Sequence, residues 1–145
     1  MEKYIGLDLG TTTLGIAYSD SLGIIHNYEN FTFEKGNYKK AREHLVEVTK
    51  KLEINKIVIG LPLQIDREEG ERCKSVRRFA NDVLKLDNSI EFIYFDESYS
   101  TFEAKERLIA SGANKDEIKQ NIDMMSANII LEDYLRSQNG KDIKW

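Results

Sequence analysis

Lys3-Tyr4-Ile5-Gly6-Leu7-Asp8-Leu9, then Gly10-Thr11-Thr12-Thr13, then Leu14-Gly15-Ile16-Ala17-Tyr18-Ser19, reads as strand, turn, strand. Two short runs rich in apolar residues flank a small polar turn, which is the pattern of a β-hairpin. Within the first run, side-chain alternation sets Tyr4, Gly6, Asp8 and Gly10 on one face. An aspartate is disfavoured in an apolar strand, and the two glycines leave room beside it. Asp8 is therefore the residue on which a functional reading turns. An Asx-type bond capping the turn is the competing reading.

Outward from this hairpin the chain continues with a turn at Ser21-Leu22-Gly23 and a third strand over 24–33. Short connections between three strands imply an antiparallel meander. Ala41, Leu45, Val48 and Leu52 then recur at helical spacing. Lys56-Ile57-Val58-Ile59-Gly60-Leu61 is a continuous apolar run suited to a strand covered on both faces. A helix is expected over 69–86, with Val76, Phe79, Ala80, Val83 and Leu84 inward, then a fifth strand from Ile90 to Phe95. Ser100-Thr101-Phe102-Glu103 fits a capping box for a helix that stops near Gly112. Asn114 with Glu117 suggests a cap for a short helical turn, and a last helix is expected from Ile122 to Ser137. A meander followed by right-handed βαβ crossovers predicts an α/β fold: a five-stranded mixed sheet, strands 1–3 antiparallel and strands 4 and 5 parallel, with helices on both faces.

The 145 residues suit one domain over 1–145, and a hydrophobic content of 41% supports one core. No repeat or low-complexity tract interrupts it. No apolar run approaches the ~18 residues of a membrane span. No signal-peptide pattern opens the sequence, and the lone Cys73 cannot form an internal disulfide, so a cytoplasmic location is expected. The net charge of −4 argues mildly against a protein that coats nucleic acid generally. It argues less against a nuclease whose acidic site recruits metal ions.

Three acidic positions form a constellation. Asp8 lies in the first strand. Asp96-Glu97 follows the fifth strand, where ligand sites of open α/β sheets collect. Asp123 is expected at the start of the last helix, on the face that carries Ala127, Ile130 and Tyr134. Phosphodiester hydrolysis needs an activated water and neutralisation of the leaving oxygen, which paired divalent ions supply. Magnesium and manganese favour such carboxylate oxygens. His26, His44 and Cys73 lack the spacing of a zinc site. The turn Gly10 to Thr13 is a candidate phosphate cradle. Arg67 and Arg72, in a segment dense in charge, are candidate phosphate contacts. Lys74, Arg78 and Lys85 form a stripe opposite the apolar face, which ordinarily means a solvated helix surface.

Four segments resemble the YqgF/RuvX family, Holliday-junction-resolvase-like proteins also described as candidate pre-16S rRNA nucleases. The opening motif is Ile5-Gly6-Leu7-Asp8-Leu9-Gly10 with Leu14 to Asp20. Val58-Ile59-Gly60-Leu61-Pro62-Leu63 is similar to a G-L-P-L segment, and Asp96-Glu97-Ser98-Tyr99-Ser100-Thr101 to a D-E-R-x-[ST]-T motif. Lys119 to Asp123, with Ala127, Ile130-Leu131 and Tyr134-Leu135, resembles the closing helix. The resemblance implies a ribonuclease H-like fold. It also implies a site at Asp8, Glu97 (with Asp96 as the alternative) and Asp123 for Mg2+ or Mn2+, and a contact from Thr101. The substrate implied is an rRNA precursor or branched DNA. Where the family motif has arginine, this chain has Ser98; compensation by Arg67, Arg72 or another basic residue is the expectation, with weakened activity the alternative. A symmetric junction would suit a homodimer, though no dimer surface is evident. Two other functions compete: a non-catalytic nucleic-acid-binding or ribosome-maturation factor, and an ATP-binding protein with the phosphate motif of actin, Hsp70 and sugar kinases.

Overall fold

A computed structural model describes residues 1–62, 70–96 and 100–142. Strands β1 (Ile5–Leu9), β2 (Thr13–Ser19), β3 (Ile25–Thr32), β4 (Lys56–Leu61) and β5 (Glu91–Asp96) form one sheet in the order β3-β2-β1-β4-β5. Pairings β1–β2 and β2–β3 are antiparallel, and β1–β4 and β4–β5 are parallel. This is the mixed sheet expected from the hairpin and the two crossovers. Helices α1 (Tyr38–Leu52) and α2 (Glu71–Leu86) supply those crossovers, and α3 (Ser100–Ala110) and α4 (Lys115–Asp142) follow β5.

The two faces of the sheet pack differently. On one face, Ile5, Leu7, Leu9, Leu14, Ile16, Ile57, Ile59 and Leu61 meet Ala41, Leu45 and Val48 of α1 and Cys73, Val76, Phe79 and Val83 of α2. On the other, Val58 packs with Ile130, Leu131 and Tyr134 of α4, joined by Tyr4, Ile93 and Phe95. A β-bulge where the β2–β3 register shifts between Ile16 and Ala17 leaves Tyr28 as the extra residue. Asn27 and Asn30, three apart, thereby both turn toward α4: Asn27 accepts from Asn128 at 2.8 Å, and Asn30 donates to the Gln120 carbonyl at 2.5 Å.

The last helix departs from the sequence reading. The expected short turn and the helix from Ile122 are one continuous helix of 28 residues, about 42 Å long. The Asn114–Glu117 cap is present: the Glu117 N–H donates to Asn114 Oδ1 at 2.9 Å, and the Asn114 N–H to Glu117 Oε1 at 3.2 Å. It opens α4 itself. No glycine or proline between 115 and 137 stops the helix. Its first two turns lack an apolar stripe because they carry mostly exposed residues, with Ile118 and Asn121 partly covered, and an exposed turn needs no such stripe.

Candidate active site at the sheet edge

Three parallel strands, β1, β4 and β5, end at the same edge of the sheet. Asp8 stands there, only 7% exposed within a strand that is otherwise apolar or glycine. Its register partner on β2 is Gly15. Facing residues of an antiparallel pair share a sheet face, with Cα atoms about 4.5–5.5 Å apart. Above Gly15 lies the backbone of Asp123: a Cβ placed on Gly15 would overlap the Asp123 carbonyl. The absent side chain of Gly15 is what lets α4 descend and bring Asp123 beside Asp8. Gly6 makes the same allowance one helical turn further on, since a Cβ there would sit 2.7 Å from the Ala127 carbonyl oxygen. Asp8 and Asp123 are thus neighbours across one row of the sheet.

Asp123 is not a helix-start acid. It sits in the third turn of α4, where the terminal dipole no longer explains an aspartate. The Thr13 hydroxyl donates to its Oδ2. A Cβ on Gly10 would stand 3.5 Å from the same oxygen, so the carboxylate overhangs the end of β1. Ala127, Ile130 and Tyr134, expected inward with Asp123, are all buried.

The hairpin turn divides its groups between structure and solvent. The Gly10 N–H donates to the Thr13 carbonyl at 2.7 Å, and the Phe33 N–H to the Thr12 carbonyl at 2.8 Å. Thr11 and Thr12 are exposed, and among the described residues their N–H groups make no backbone bond. Arg72 reaches the same edge from the α2 side, donating from Nη2 to the Leu9 carbonyl at 2.6 Å. Its guanidinium lies beside the end of β1, with the strand backbone between it and Asp8.

Asp96 ends β5 and pairs with Leu61. Alternation from Tyr94, which packs against the α1/α2 core beneath Arg77 at 4.5 Å, sets Asp96 on that face, away from the α4 face of Asp8. Thr101 is exposed in the first turn of α3. Glu97, Ser98 and Arg67 lie outside the described residues. The stripe of Lys74, Arg78 and Lys85 is exposed, with Lys74 paired to Glu71 and Lys85 to Asp82, in keeping with a solvated helix surface.

Sequence reasoning missed Gly15. The signal was available: a glycine inside a strand marks close backbone approach, and hairpin register places it opposite Asp8.

The family model for RuvX, Holliday junction resolvase, matches residues 2–137. This chain belongs to the RuvX family. Relatives in the family include a protein of Geobacillus sp. named "Putative pre-16S rRNA nuclease", 35% identical over 94% of this chain and 99% of its own. One of the same name from Staphylococcus aureus is 33% identical over 94% and 96%. Among solved structures, RuvC of Thermus thermophilus in complex with a Holliday junction substrate superposes with a TM-score of 0.59 at 12% identity, over 94% of this chain and 96% of that one. The RuvX sheet and helices are therefore of the ribonuclease H-like fold. Among the described residues no helix is long and apolar enough to cross a membrane.

Proposed function

We propose that this chain is a divalent-metal-dependent nuclease that hydrolyses RNA phosphodiesters at the end of the pre-16S rRNA, in the cytoplasm. The observation that carries the reading is the juxtaposition of Asp8 and Asp123, a strand acid and a helix acid, at the C-terminal edge of β1. The names of the full-length relatives support the substrate.

The donor set fits a hard cation. Both acids are carboxylates, the oxygen donors that magnesium and manganese favour, and one of them is almost fully buried. Among the described residues no group of three His, Cys, Asp or Glu is placed to hold a metal. Glu97 is the third ligand that the family motif implies. Asp8, Asp123 and Glu97 would hold Mg2+ or Mn2+, which supplies activated water and neutralises charge on the leaving oxygen. The chain's own residues do the rest. Thr13 fixes the Asp123 carboxylate through a hydroxyl donor. The exposed Thr11 and Thr12 N–H groups offer donors to a non-bridging phosphate oxygen. Arg72, bound to the Leu9 carbonyl across the β1 backbone from Asp8, brings a positive charge to the same sheet edge.

A second reading, resolution of a four-way DNA junction, is favoured by the family description and the RuvC-like fold; it would suit a homodimer. The test offers rRNA precursor, single-stranded RNA and a four-way junction, with magnesium and with manganese. Cleavage of the precursor is expected. Cleavage of the junction alone would favour the second reading. No cleavage of any substrate, with binding retained, would leave a binding factor.

A further inference from the structure

Beside the acid pair, on the β3 side of the hairpin, opens a cleft of about 560 Å3 lined by Thr12, Thr13, Asn30, Thr32, Lys119 and Gln120, with Asp116 also on its wall. Sheet register explains its floor. Thr13 pairs with Thr32, and Gly15 with Asn30, so two consecutive rows running out from Asp8 and Gly10 carry hydroxyl and amide side chains on the α4 face. The exposed early turns of α4 form the wall. Thr13 belongs to both places: it lines the cleft and holds Asp123. The cleft therefore leads directly from the proposed reacting centre.

Its chemistry is selective. The volume is in the range of small-molecule sites, enough for a nucleotide. Among the described residues no aromatic or aliphatic one lines it, so these offer no platform for stacking a base. What it offers is hydroxyls, amides, one ammonium and one carboxylate. Lys119 is exposed and forms no ion pair among the described residues, while Asp116 balances its charge along the wall. Lys119 complements one phosphate, and the hydroxyl and amide groups beside it complement the sugar next to that phosphate. Hydroxyl and amide groups both donate and accept, as a ribose 2′-OH does, and that group is how a protein distinguishes RNA from DNA.

We infer that this cleft seats one ribose-phosphate unit of an RNA strand flanking the scissile bond, with Lys119 on the phosphate and Thr32 on the ribose. The inference rests on the nuclease reading, which it deepens by assigning a subsite and a preference for RNA.

The test measures binding of a labelled RNA oligonucleotide and its all-deoxy counterpart to the full chain, in EDTA so that no turnover occurs. Thr32→Val keeps a β-branched residue in the strand and removes the hydroxyl. It should weaken RNA binding about three- to tenfold and leave DNA binding unchanged, converting to about 0.7–1.4 kcal/mol. Lys119→Gln should weaken both strands and lower the slope of log affinity against log salt by about one. Unfolding curves matching wild type confirm that each variant is folded. Wild-type affinity of both folded variants for both strands would overturn the inference, as would equal losses on RNA and DNA from Thr32→Val. The nuclease reading is decided separately, by cleavage of RNA by wild type in magnesium or manganese. Cleavage with indifferent variants defeats the cleft alone; absent cleavage with an RNA-selective effect at Thr32 defeats the reading alone.

Discussion

The two faces of the sheet solve opposite problems. Toward α1 and α2, large aliphatic side chains from β1, β2 and β4 are wholly buried and interlock with helix side chains. Toward α4, the rows nearest the edge hold Gly6, Asp8, Gly10, Gly15, Thr13 and Asn30, and helix backbone descends onto bare strand. The first face gains stability from apolar area removed from water. The second gives up side-chain volume so that a helix can set an acid against a strand. A substitution should therefore damage stability or chemistry according to the face it touches.

The sharpest test of that division is a pair of substitutions. Asp8→Asn should reduce RNA cleavage by more than about a hundredfold, since even outer-shell partners of a metal site are worth about 10–100-fold. Its unfolding midpoint should not fall. Ile59→Ala, on the opposite face, should cost about 2–5 kcal/mol of stability while leaving cleavage per folded molecule near wild type. Full cleavage by Asp8→Asn would remove that residue from the chemistry.

Next in size is the contact that joins the faces of strand and helix. Gly15→Ala should force α4 off the sheet, costing about 1–3 kcal/mol and activity together, because Asp123 moves with its helix. Gly36→Ala, where φ is +83° with nothing within 4 Å of a Cβ, should cost about 1–2 kcal/mol through backbone strain with no loss of activity per folded molecule. Thermal unfolding and single-turnover cleavage separate the two.

Thr13→Val should lower activity about tenfold or more by freeing the Asp123 carboxylate, and Thr13→Ser should restore most of it. A deficit equal in both variants would mean that the hydroxyl does not position the acid.

The smallest effect concerns α3. Arg107 pairs with Glu132 of α4 through two bonds, at 2.9 and 3.1 Å, and this guanidinium holds the Glu132 carboxyl below its ordinary range. Arg136 at 2.9 Å shares the same acid. The pair is partly exposed, so Arg107→Gln should cost about 0.2–1 kcal/mol at neutral pH. A lowered acid contributes stability above its unfolded value and loses it as pH falls through the folded value. The difference between variant and wild type should therefore close at acid pH, as followed by denaturant midpoints.

Much of this was legible in the sequence because local pattern and tertiary packing agree. The hairpin, β4 and the inward face of α2 follow from alternation and helical spacing. Asp8 stood out because a charged residue in an apolar strand has few structural excuses. Asp123 was expected at the start of the last helix, and that setting was misread, since it lies in the third turn of α4. The charge-dense stretch 115–121 has no apolar period, and only the packed part of α4 advertises itself as helix. The depth of the glycine contacts was not legible, since it depends on strand register and helix placement together. Asp96 and Glu97 are adjacent in sequence, and strand alternation assigns only Asp96 to a face here.

The carbonyls of Asp123 and Ala127, one helical turn apart, rest over Gly15 and Gly6. They act as two teeth in two notches. Advancing α4 by a single residue would carry it about 1.5 Å along its axis and swing it by about 100°, driving a side chain into a notch made for none. The height of the Asp123 carboxylate above the strand end is thereby set by helix pitch, leaving no adjustable joint between the acid and the sheet.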